Sequence, residues 1–129
     1  MGTPFGSELN VFKRGNGQLH LPRDGGEPLK IDLPARFVRV IMILQEAWER
    51  DELAGIPSPL RGFTNAEDLA LLYEPQCPDA APEAQTMTRY VSDLCVKISK
   101  CLDKPAFIVR ATGRGARLAD PVKVIKLGR

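Results

Sequence analysis

No apolar run in this sequence approaches the roughly 20 residues that a helix needs to cross a bilayer. The N-terminus lacks the charged, apolar and small-residue order of a signal segment, so a cytoplasmic location is expected. Cysteine is scarce. Cys77, Cys95 and Cys101 are odd in number and have no C-x-x-C spacing, which speaks against a disulfide scaffold and a zinc site and leaves reduced structural thiols. The single histidine, His20, has no Cys, Asp or Glu cluster for company, so it reads as a surface residue of a strand rather than a base or a metal ligand. Glu46, Glu49 and Glu52 are helix-surface acids, not a catalytic pair. The stretch Thr112–Arg117 lacks the G-x-x-x-x-G-K pattern of a phosphate loop, and no helix follows it. Nothing in the chain points to an enzyme, a metal or a cofactor.

What remains has the balance of an ordinary globular protein, with 43% apolar and 26% charged residues. At 129 residues it is expected to form one domain, with residues 1–8 as a loose lead. The net charge of +2 hides an asymmetry. Residues 1–84 hold 8 Lys and Arg against 13 Asp and Glu; residues 85–129 hold 10 against 3. Basic charge gathered in the C-terminal third suggests a surface that faces phosphate. A solvated, mixed surface would give the same count.

Leu9–Phe12 and Gln18–Leu21 are β-prone and are joined by the turn signal Arg14-Gly15-Asn16-Gly17. Leu29–Leu33 alternates as a half-buried strand does. Pro34 opens a helix whose stripe is Phe37, Val40, Ile41, Leu44 and Trp48, the last a core anchor. Gly55 to Pro59 stop it. Thr64 and Glu67 form a capping box for a short helix with Leu69, Leu72 and Tyr73 inward. Glu74–Glu83 is acidic and proline-rich, hence a loop.

Residues 85–102 form a long amphipathic helix, since Met87, Val91, Leu94, Ile98 and Leu102 share one face. Pro105 ends it. Residues 106–118 then read as a strand, a glycine-punctuated turn carrying Arg114, and a returning strand. Val122–Leu127 alternates partly, as a last strand would. The fold class is α+β: a leading antiparallel sheet, three helices and a C-terminal hairpin, the layout of a winged helix-turn-helix.

In this order and spacing the chain resembles the effector domain of OmpR/PhoB-type response regulators, from about Leu9 to Leu118. In the long helix Thr86, Val91, Ser92, Leu94 and Lys97 match the family pattern. In the hairpin Gly113, Gly115, Arg117 and Leu118 match, and Thr64, Glu67, Asp68 and Leu69 match the short helix. The departures fall on chemistry. Gln85 stands where the pattern has arginine and Thr88 where it has an acid. Asp93, Cys95 and Val96 stand at positions usually basic, and Ala116 stands where the hairpin usually has tyrosine.

The resemblance implies transcription regulation in two-component signalling, with double-stranded DNA as the partner and homodimers on DNA. Helix 85–102 would enter the major groove and wing 106–118 would lie on adjacent backbone or minor groove. The candidate DNA-binding residues are Gln85, Thr86, Arg89, Tyr90, Ser92, Asp93, Lys97, Lys100, Arg110, Thr112, Arg114 and Arg117. Gln85 and Arg89 are suited to adenine and guanine edges. Lys97 and Lys100 suit phosphates, and Arg114 suits a minor groove. The acidic loop is either a plain connection or a surface for RNA polymerase or another signalling protein. A second reading keeps the scaffold and gives the helix face to a protein partner, as an adaptor module. Asp93, Cys95 and Val96 favour it, while the basic tail, Arg89 and the arginine-bearing wing favour DNA.

Overall fold

The turn at Gly15 sets the first strand pair. Gly15 has φ +93°, and its N–H donates to the Phe12 carbonyl at 2.9 Å, while Phe12 N–H donates to Asn16 O at 2.8 Å. Strands β1 (Ser7–Val11) and β2 (Gly17–Leu21) leave this turn antiparallel, and β3 (Leu29–Leu33) pairs antiparallel with β2. Alternation buries Leu9, Val11, Leu19, Leu21, Ile31 and Leu33 on one face. Gly17 must be glycine for a packing reason. A Cβ there would strike the Asn10 carbonyl oxygen and come within 3.1 Å of Val38 on the covering helix. The computed structural model describes residues 7–21, 29–57, 60–73, 83–99, 108–111, 114–119 and 122–126.

Helix α1 (Ala35–Leu53) covers the sheet with the expected stripe: Phe37, Val40, Ile41, Leu44 and Trp48 are all buried. Pro34 is its N-cap rather than its first residue. The Pro34 carbonyl accepts from Phe37 and Val38. Past the C-cap, Gly55 (φ +80°) turns the chain away. Helix α2 (Ala66–Tyr73) and helix α3 (Ala84–Ser99) follow, then the hairpin of β4 (Ile108–Ala111) and β5 (Gly115–Leu118), and finally β6 (Val122–Lys126). Helices α1, α2 and α3 pack on one another, and α1 also meets β5. Sheet, helices and hairpin contribute to one apolar cluster.

The architecture is the expected winged helix, with several local differences. Ser7 and Glu8 belong to β1 and not to a lead. The four-stranded sheet has the order β3-β2-β1-β6, so its fourth strand comes from the end of the chain and runs parallel to β1. A buried glutamine of α1 holds it there: Val122 N–H donates to Gln45 Oε1 at 2.6 Å. The α2 cap is Asn65, whose Oδ1 accepts from Asp68 N–H at 2.8 Å. Thr64 is instead paired with β5, exchanging backbone bonds of 2.9 and 3.0 Å with Ala116. On α2, Leu69 and Ala70 are buried, whereas Leu72 is exposed and Tyr73 half-buried. Residues 100–102, the expected end of the long helix, together with Pro105 and most of the acidic loop, lie outside the described residues.

Asp51 explains how the α1–α2 connection is shaped. Its carboxylate is buried and accepts the Gly62 N–H at 2.8 Å, with Arg50 Nε at 3.3 Å. Arg61 stacks over Trp48 and donates from Nε and Nη2 to the Ile56 carbonyl. His20 lies on the outer face of the sheet, with Nε2 2.8 Å from Gln18 Oε1. Among the described residues no helix is long and apolar enough to cross a membrane, and no group of three or more His, Cys, Asp or Glu could hold a metal ion.

Candidate nucleic-acid interface

Helical spacing divides α3 into two faces. Met87, Val91, Leu94 and Ile98 point inward and are at most 4% exposed. Gln85, Thr88, Arg89, Asp93, Val96 and Lys97 are exposed on the other side, and Thr86, Ser92 and Cys95 are half-buried at the margins. Arg89 follows Gln85 by one turn, so the two stand in line along the axis. Among the described residues neither Arg89, Asp93 nor Lys97 has an ion-pair partner. Tyr90 is half-buried on the α2 side, its ring 6.0 Å from that of Tyr73, so most of its surface is spent on packing.

The hairpin stands beside α3 because the chain before α2 is stitched to it. The Thr64–Ala116 bridge fixes β5, and Gly115 (φ +98°) is the residue that lets the two backbones approach. A Cβ at Gly115 would overlap the Thr64 carbonyl and lie 2.5 Å from Asn65 Cα. Within the hairpin Arg110 is exposed on β4, and Arg114 is exposed in the turn, where its N–H donates to the Ala111 carbonyl at 3.1 Å. The Arg114 guanidinium stands 6.0 Å from the Phe63 ring centroid. Lys100 and Thr112 lie outside the described residues.

Arg117 does something different from its neighbours. Its guanidinium sits 5.6 Å from the ring centroids of both Trp48 and Phe63. Nη1 donates to the Leu118 carbonyl at 3.3 Å, and Nε is buried without a hydrogen-bond partner. The side chain therefore fastens the wing to α1 and the α1–α2 connection. Phe63 was not singled out from the sequence. Only its place between Gly62 and the α2 start could have drawn notice, and that says nothing of the arginines that reach it.

Cys95 lies on the wing side of α3. Burial pushes its thiol above the ordinary value, with the Arg110 charge pulling weakly the other way. That direction favours the thiol over the nucleophilic thiolate.

This arrangement is similar to that of the DNA-binding domain of E. coli CadC. The two share 17% sequence identity, and the match covers 81% of this chain and 79% of that chain with a TM-score of 0.53. At that identity the likeness carries the winged-helix fold and nothing finer. No family model matches the sequence, and no curated protein matches it either.

Proposed function

We propose that this domain binds double-stranded DNA and regulates transcription, with α3 in the major groove and the β4–β5 hairpin on the adjacent backbone or minor groove. One observation carries the reading. The polar face of a scaffold-backed helix stands exposed beside a hairpin that bears two exposed arginines, Arg110 and Arg114. Gln85 and Arg89 are the base readers in this account, on adenine and guanine edges. Lys97 and Lys100 neutralise phosphates, and Thr86, Ser92 and Thr112 add hydrogen bonds to the backbone. Arg110 and Arg114 seat the wing, Arg114 reaching furthest into the minor groove. Asp93 accepts from a cytosine amino group. Tyr90 and Arg117 position these elements rather than touch DNA. The fold of the CadC DNA-binding domain supports the assignment.

Two pseudo-symmetric half-sites read by a homodimer, and contact with RNA polymerase through the acidic segment that ends at the exposed Glu83, extend the same reading. A protein-binding alternative is favoured by Val96, which is 48% exposed at the centre of the outward face of α3. The variants Arg89→Ala and Arg114→Ala separate the two. Measured against a selected site and its base variants, both should weaken binding by roughly 1–3 kcal/mol, and only Arg89→Ala should relax base preference. Unchanged affinity in both variants would give the α3 face to a protein partner.

A further inference from the structure

A crevice of about 570 Å³ opens between α3, the start of α2 and the hairpin. That is the size range of small-molecule sites. Its floor is apolar: Leu69, Met87 and Val91 are core residues, each at most 4% exposed. Apart from Arg110, the described hairpin residues that line it are small: Ala111, Gly115 and Ala116. Ala116 occupies the position at which the resembling pattern carries tyrosine, so one substitution of ordinary size would close the crevice.

The polar groups of the lining are not balanced in charge. Among the described residues Arg110 is the one charged side chain of the lining, and no carboxylate pairs with it. Asn65 and Ala66 bring the N-terminal end of α2 to the same wall, which adds partial positive charge. Glu67 and Asp68, in the first turn of that helix, are exposed and do not line the space. An apolar floor with a single guanidinium selects a particular chemistry. A neutral hydrocarbon leaves Arg110 unused, and a small inorganic anion leaves the floor wet.

We propose that this crevice is a binding site for a small amphipathic carboxylate, its hydrocarbon body on Leu69, Met87 and Val91 and its carboxylate on Arg110. The site stands without the DNA reading. If DNA is bound as proposed above, an occupant would withdraw the Arg110 charge from the phosphates and bear on α3 and the wing together.

The test uses the full 129-residue chain, without DNA, and three probes below their aggregation range: decanoate, decanol and acetate. Calorimetric titration should show one decanoate bound per chain, with decanol and acetate at least about tenfold weaker, as expected when a charge-assisted contact and an apolar contact are each removed. Arg110→Gln should weaken decanoate about tenfold and leave decanol unchanged. Ala116→Phe, checked for native circular dichroism, should abolish both. Absence of decanoate binding, equal binding of decanoate and decanol, or undiminished binding in folded Ala116→Phe would each overturn the proposal. Should Ala116→Phe fail to fold, the probe ranking in the parent chain and the Arg110→Gln result still decide it. Because no DNA is present, these outcomes are independent of whether the domain binds DNA.

Discussion

Gly115→Ala should cost far more than an ordinary surface glycine substitution, because two separate penalties meet at that position. The backbone there has φ +98°, a region that L-residues enter at about 1–2 kcal/mol. The added Cβ would also overlap the Thr64 carbonyl and lie 2.5 Å from Asn65 Cα, and both contact atoms are backbone. The clash is relieved only by parting the two strands, which sacrifices the reciprocal Thr64–Ala116 hydrogen bonds at about 1 kcal/mol each. The expected loss is therefore about 3–4 kcal/mol, a large part of the roughly 5–15 kcal/mol that holds a domain of this kind together. Gly55→Ala supplies the control. Its φ is +80°, but no heavy atom lies within 4 Å of the added Cβ, so only the conformational penalty of about 1 kcal/mol applies. Urea titration of the parent and both variants measures the difference. Equal losses in the two variants, or a Gly115→Ala loss below about 1 kcal/mol, would refute the close-approach argument.

Gln45→Leu keeps most of the side-chain bulk but leaves the buried Val122 N–H without its acceptor, so about 1–3 kcal/mol should be lost in the same titration, with β6 amides exchanging faster than those of β1 and β2. In a Cys77→Ser, Cys101→Ser background, Cys95 should react with iodoacetamide more slowly than a free thiol at every pH where the fold is intact, and denaturant should restore the ordinary rate. The raised thiol value also has a stability consequence. A group whose folded value lies above its unfolded one contributes stability at lower pH and loses it as pH rises through the ordinary thiol range, so Cys95→Ser should flatten the stability profile on that alkaline side.

Much of the scaffold could be read from local pattern. The α3 stripe, the Gly15 turn and the β4–β5 hairpin follow from periodicity and glycine placement, and each occurs where the sequence predicts it. The differences arise where distant chain segments decide. Nothing local tells that Val122–Lys126 pairs with Ser7–Val11, a contact fixed by a glutamine on an intervening helix. Thr64 and Asn65 are both good capping residues. The bridge to Ala116 takes the first and leaves the cap to the second. Arg117 counts as one of the basic residues of the wing in any charge tally, yet Trp48 and Phe63, more than fifty residues earlier, hold it inward. The exposed face of α3 was readable as a face. Which partner that face suits was not, because Asp93 and Val96 share it with Gln85 and Arg89.

The central claim is that the α3 and wing surface holds duplex DNA, and the salt dependence of affinity for random-sequence duplex tests it most directly. With Lys97, Lys100 and Arg110 on phosphates and the Arg114 cation in the adjacent minor groove, the logarithm of affinity should fall against the logarithm of salt with a slope of about −3 to −4. No detectable binding at low ionic strength, or binding indifferent to salt, would contradict the account.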